Sequence, residues 1–235
     1  MAVKETMSQP VTGISSMATR TLLARLVEEY ERRVGQHVTI ESVGGIAAVR
    51  RVQEGERFDI VVLGSDAIDG LMADGRIVPG SRVDLARSGV AIAVAAGAPR
   101  PEIGTEAALR EAILAARSIG YSTGPSGTHL IRLFERWRIA ETIAPRIVQA
   151  PAGVPVGTLI ARGEVELGFQ QLSELMHLPG IDVIGPLPAE IQIVTIFSAA
   201  VCAVSERRET AKALLAFLAS PTAARAKFDH GMEPA

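Results

Sequence analysis

The sequence predicts an α/β fold built as two lobes joined by two crossover segments. Three observations predict it. Apolar strand-like runs alternate with amphipathic helical stretches, the alternation comes in two successive series, and long apolar segments around 82–96 and 191–204 lie after each series. The expected lobes are residues 1–90 plus 196–235 and residues 91–195, with a ligand cleft between them.

The first series opens with a short apolar strand from about Val11 that ends in Ser15-Ser16. In 21–33, Leu22, Leu23, Leu26, Val27 and Tyr30 recur at helical spacing, and "HVTIESV" then alternates as a strand does. "GIAAVRRVQEG" reads as a short helix, "FDIVVLG" as a strand buried on both faces, and "SDAIDGLMADG" as a helix closed by Gly75. "VPGSRVDLARSGVAIAVAAG" leads to the second series: helix 105–116, strand "SIGYS", helix 126–138, strand "RIVQA", helix 154–162, then strands "VELGFQ" and "DVIGP". "IQIVTIFSAAVCAV" reads as one long strand, and "TAKALLAFLAS" and "PTAARAKFD" as closing helices.

Composition narrows the function. The 235 residues are 48% hydrophobic, enough to build large cores. The formal charge of −2, from 24 basic and 26 acidic residues without long runs, gives no footprint for nucleic acid or an anionic membrane. No stretch has the length and apolarity of a membrane-spanning helix. Cys202, the one cysteine, sits in an apolar run and reads as a small core residue. His37, His129, His177 and His230 are scattered without metal-ligand spacing, and no G-x-S-x-G elbow is present, so neither a metal, a cofactor nor a serine nucleophile is expected. The start "MAVKETMSQPVTGISSM" lacks a basic region followed by an apolar core, which predicts a cytoplasmic protein.

Ligands of open parallel sheets sit beyond the carboxyl ends of strands. At those junctions stand Ser15, Ser16, Met17 and Thr19, then Gly44 and Gly45, Ser65 and Asp66, and "YSTGPSGTH" with Ser122, Thr123, Ser126, Gly127 and Thr128. "APAGVPVG" adds the backbone of Val154, and "LGFQQ" ends in Gln170 and Gln171. Taken singly, Ser16, Thr19 and Ser65 read equally as helix caps, Gly44-Gly45 as a tight turn, and Asp66 and Glu174 as helix-start charges. Together they read as a cage of neutral donors for a small anion. His129 reads either as a surface helix residue or, with Asp66, as the proton carrier of a reaction.

The segments "GISSMATRTLLARLVEEYERRVGQHVTIESVGG", "FDIVVLGSDAIDGLMADGRI", "GYSTGPSGTHLIRLFERWRI" and "LIARGEVELGFQQLSELMHLPGIDVIGPLP" resemble the molybdate-binding-like branch of type II periplasmic solute-binding proteins, across nearly the whole chain. The resemblance implies a two-lobed flytrap fold with two crossover hinges, an anionic ligand, and an ABC permease as partner only if the protein is exported. In the molybdate binders, serines in the first two strand loops and a tyrosine from the second lobe wrap a tetrahedral anion. Here Gly44-Gly45 stands in the second loop, and Phe169 and Gln170 stand where the tyrosine is expected. Those departures count against molybdate, and the extra donors and a histidine suit a larger, flatter anion such as a di- or tricarboxylate. The same branch includes aconitate isomerase, so the resemblance also implies proton transfer along an unsaturated carboxylic acid.

Overall fold

β1 (Val11–Ser16) buries Val11 and Ile14 completely and ends on the serine pair. A single turn at Met17–Thr19 leads into α1 (Arg20–Val34). That helix buries Leu22, Leu23, Leu26 and Tyr30 along one face, each leucine stabilising by roughly 2 kcal/mol. It closes at Gly35, whose φ of 73° is a left-handed conformation that glycine adopts without steric cost. β2 (Val38–Val43), α2 (Gly45–Gln53), β3 (Ile60–Gly64) and α3 (Ser65–Ala73) continue the alternation. The chain then runs through β4 (Val83–Ala95), α4 (Glu106–Ala115), β5 (Ile119–Tyr121), α5 (Pro125–Arg136), α6 (Ala140–Ile143), β6 (Ile147–Gln149) and α7 (Val156–Ala161). β7 (Leu167–Gln171), α8 (Leu172–Leu175), β8 (Ile181–Pro186), β9 (Val194–Val201), α9 (Arg208–Ala219), α10 (Ala224–Asp229) and β10 (Glu233–Pro234) complete it.

This computed structural model describes residues 9–235, so residues 1–8 of the amino-terminal stretch read for an export signal lie outside the described residues. The chain divides into two compact units: one holds the chain up to Ala86 with Phe197–Lys227 and Pro234–Ala235, the other Arg87–Ile196 with Phe228–Glu233. Among the described residues no helix is long and apolar enough to cross a membrane.

In the first unit β1 pairs in parallel with β2 and β3, which brings the carboxyl ends of all three to one edge. β9 closes the other side of β3 in antiparallel register, Val62 opposite Ala199. Ile14, Val61, Leu63, Ile68 and Leu71 form the core with Ala200 and Cys202 from the end of the chain. Asp59 ties these parts together, accepting from the Thr12 amide at 2.9 Å and from the Ser205 hydroxyl at 2.6 Å.

In the second unit β4 runs antiparallel to β7 and β8, while β7, β5 and β6 are mutually parallel. Gly120 and Gly168 face each other across β5 and β7. A Cβ on Gly120 would lie 2.7 Å from Val165 and one on Gly168 2.5 Å from Ile160, so this glycine pair is what lets α7 and its flanking turn seat directly on the sheet.

Two of the elements that differ from their sequence reading lie toward the carboxyl-terminal part of the chain. The long strand expected over "IQIVTIFSAAVCAV" starts only at Val194, because a turn at Ala189–Ile191 precedes it and the Gln192 side chain takes over the ladder. Gln192 Oε1 accepts from the amides of Val90 (3.0 Å) and Ile193 (2.8 Å) while Nε2 donates to the Val90 carbonyl at 3.2 Å. "PTAARAKFD" is a turn at Pro221–Ala223 followed by α10, since proline opens a tight turn without needing its missing N–H.

Candidate functional site

At the carboxyl edge of the first unit's sheet, Ser15 and Ser42 are register partners and their hydroxyls meet at 2.8 Å. Ser15 is fully buried and also donates to the Ser16 carbonyl at 3.3 Å. Ser16 points elsewhere: its hydroxyl is buried with no hydrogen-bond partner. It caps no helix, because the Met17–Thr19 turn intervenes and Thr19, buried, returns its own hydroxyl to the Ser16 carbonyl at 3.1 Å. Met17 is half-buried in that turn. Gly44 occupies the cap position of α2, with Gly45 its first residue. Gly64 occupies the cap position of α3, so Ser65 lies inside the helix, its hydroxyl 3.5 Å from the carboxylate of the exposed Asp66.

The parallel strands of the second unit gather three loops at one edge. β5 leads into Ser122 and Thr123, β6 into the loop carrying Val154, and β7 into Gln170 through Glu174; the Ala150 amide donates to the Tyr121 carbonyl at 2.9 Å and holds the first two together. Gly127 is required there, because a Cβ would fall 1.9 Å from the Ser122 carbonyl oxygen. Its amide and that of Thr128 both turn to the Gly124 carbonyl, at 3.0 and 3.3 Å. Ser126 is buried, whereas Thr128 and His129 are exposed. His129 lines a cavity of about 310 Å³ with Arg132, Arg136, Glu190 and Gln192. The Val154 amide donates to the Pro151 carbonyl at 3.0 Å and is thus satisfied inside its own loop.

The densest polar cluster lies at the end of β7. Gln170, almost wholly buried, accepts the Val156 amide on Oε1 at 2.7 Å and donates from Nε2 to Glu174 Oε1 at 2.8 Å. Gln171 donates to the Thr195 hydroxyl at 2.7 Å, leaving its own Oε1 buried and unpartnered. The Ser173 hydroxyl is likewise buried without a partner. Desolvation pushes the Glu174 carboxyl up to about 7, against the Gln170 hydrogen bond that favours its charged form. Each orphaned buried oxygen costs on the order of 1–3 kcal/mol and keeps the capacity to bond a water or a bound group.

The sequence reading had singled out Glu174 as a helix-start charge and Gln170 as a ligand contact, and it had not singled out Ser42 or Ser173. Ser42 was legible as the strand partner of Ser15. Nothing local marks Ser173, whose isolation depends on burial by distant segments. Cys202 is buried and its thiol is pushed up to about 12 by burial and by Asp59, which removes it as a nucleophile. Among the described residues no group of three or more His, Cys, Asp or Glu side chains is arranged to hold a metal. Each unit thus carries unpartnered hydroxyl or amide oxygens near the carboxyl edge of its parallel strands, and the second also holds a carboxyl pushed up to about 7.

The sequence profile of bacterial extracellular solute-binding proteins matches residues 11–233. An aconitate isomerase from Pseudomonas sp. is 37% identical over 236 residues, covering 97% of this chain and 90% of that protein. Among solved structures, the periplasmic molybdate-binding protein of Azotobacter vinelandii superposes with a TM-score of 0.77 at 18% identity, covering 94% of this chain and 98% of that one. The ferric binding protein of Campylobacter jejuni gives a TM-score of 0.71 at 14% identity, over 95% and 86% of the two chains. An oxyanion binder and a metal-ion binder thus share the type II periplasmic-binding fold of this chain, and at these identities the likeness concerns the fold alone.

Proposed function

Because this chain belongs to the bacterial extracellular solute-binding protein family, we propose that it uses the family's fold to bind a small di- or tricarboxylate and to isomerise it by proton transfer. The observation that carries this reading is the 37% identity to an aconitate isomerase across 97% of the chain, since a pairing of that length spans both units and not one shared motif. The chemistry at hand is compatible with it. Moving a double bond along an unsaturated tricarboxylate needs a base near an acidic allylic C–H, donors for the carboxylate that becomes enolate-like, and a group to return the proton. Neutral donors such as the Ser16 and Ser173 hydroxyls suit the carboxylates.

The family's description as extracellular solute-binding proteins supports a second reading, in which the chain is a receptor that binds its anion unchanged and hands it to a permease. One experiment separates the two. Purified protein is followed by proton NMR in deuterated buffer with cis- and trans-aconitate, alongside thermal-shift measurements with citrate, both aconitates and molybdate. Interconversion of the aconitates with deuterium uptake at carbon is the expected result. Stabilisation by one anion with no chemical change would instead assign the chain to the receptors.

A further inference from the structure

We propose that Glu174 is the proton carrier of this isomerisation, with Gln170 as the positioning residue that keeps one carboxyl oxygen occupied and leaves Oε2 to exchange the proton. This inference rests on the isomerase reading above. Its core is a chain of two hydrogen bonds whose direction is fixed by chemistry. The Val156 N–H can only donate, so the group it meets at 2.7 Å must be the Gln170 carbonyl, and the Gln170 NH₂ must therefore face Glu174 Oε1 at 2.8 Å. An oxygen that accepts from NH₂ is the weaker base of the two. Among the described residues Oε2 has no hydrogen bond, so Oε2 is the favoured seat of the proton. Gln170 is 1% exposed and Glu174 half-buried, so the hydrogen-bonded end of the pair is shielded while the carboxyl stays within reach of a ligand.

A second observation points to a ligand at the same strand end. Ser173, between Gln170 and Glu174 in the chain and just past the carboxyl end of β7, holds a buried hydroxyl with no partner; Gln171, the last residue of β7, leaves the opposite face of the strand, toward Thr195. His129 and Asp66, the carriers suggested by the sequence, are both exposed and are held by no comparable network. The balance of the reaction is simple. Glu174 Oε2 as carboxylate takes the proton from the allylic carbon, and the C–H electron pair becomes the new double bond of a carboxylate-stabilised dienolate. The former alkene carbon at the far end then takes the proton back from Oε2, and Glu174 returns to carboxylate with no net oxidation.

The surroundings leave this carboxyl to titrate alone. β7 and α7 carry no ionisable side chain. The 228–233 segment, which approaches the Ser173 backbone at Gly231, carries Asp229, His230 and Glu233, the last paired with Arg87. His177, just beyond α8, lies 3.4 Å from the Asp229 carbonyl. The carboxyl, held near 7 by desolvation, has both its forms populated at neutral pH, as a group that must take and return one proton requires.

The test begins with the wild-type chain and trans-aconitate in deuterated buffer. Absence of both interconversion to cis-aconitate and exchange there overturns the isomerase reading and this inference with it. Given turnover by either signal, Glu174→Gln is expected to lower it at least about 100-fold, while thermal stabilisation by the tricarboxylate stays within about twofold. Turnover that survives in Glu174→Gln, or that is lost in His129→Ala alone, overturns the assignment and leaves the isomerase reading intact. Gln170→Met supplies a readout independent of that variant's folding. The wild-type rate is expected to rise with pH through an inflection near 7, and loss of the hydrogen bond that favours the charged form moves the inflection upward. An inflection that stays in place, or none in this range, overturns the role of the pair.

Discussion

The Ser16 hydroxyl is buried without a partner inside the protein, a state that costs on the order of 1–3 kcal/mol. Ser16→Ala is therefore expected to leave the melting temperature unchanged or slightly raised while diminishing the shift given by the bound tricarboxylate. A loss of stability in the protein alone would mean that this hydroxyl has an internal role. Glu174 makes a second prediction at this scale. Its carboxyl is raised from 4.5 to about 7 in the folded chain, so the folded state holds the proton more tightly than the unfolded one. Stability linked to this group is complete below about pH 4.5 and is lost as pH rises through about 7. Glu174→Gln should thus match the wild type near pH 4 and gain up to about 2–3 kcal/mol relative to it at pH 8, read from urea midpoints at both values. How far such residues were legible in the sequence depends on what isolates them. Ser15 and Ser16 were visible as hydroxyls at a strand end, and of the two readings of Ser16, cap or ligand contact, the first lacks its bond: Ser16 stands before the Met17–Thr19 turn but its hydroxyl caps nothing. Gln171 and Ser173 are orphaned by segments far away in the chain, and no local pattern records that.

Among the elements, those set by local periodicity were legible, and those set by a distant partner were not. α1 follows from five apolar residues at helical spacing, and β3 from an unbroken apolar run. The start of β9 did not follow from its own sequence, since the Gln192 side chain, bonded to Val90 on β4, replaces the strand that "IQIV" would otherwise begin. α7 starts at Val156, and not two residues earlier, because the ring of Pro155, in the cap position, disfavours the helical conformation for Val154 before it. The loop before α5 carries the prediction that belongs here. Gly127 packs against a backbone carbonyl, which cannot swing aside as a side chain can. Gly127→Ala must therefore displace the Ser122–Gly124 turn, at a cost on the order of 2 kcal/mol. Circular dichroism should still report the folded α/β content, while calorimetry shows weakened binding of the anion. Unchanged affinity would separate this loop from the ligand.

The first unit takes its parts from both ends of the chain. β1 to α3 come from the first 86 residues, whereas β9 and α9, with the buried Ala199, Ala200, Leu214, Leu215 and Leu218, come from Phe197–Lys227. A chain ending at residue 196 should therefore leave the amides of β1 and β3 rapidly exchanging with deuterium, and strong protection there would mean that the first 86 residues fold alone. The antiparallel pairing of β3 with β9 also bears on how the protein is made. A nascent chain leaves the ribosome amino terminus first, yet the strand that covers β3 emerges only after β4 to β8. Until then the flank of β3 and its apolar neighbours are open to other chains, while nearly all of the second unit has already been synthesised. The early half is accordingly expected to be the aggregation-prone part of the growing chain for as long as β9 is still to come.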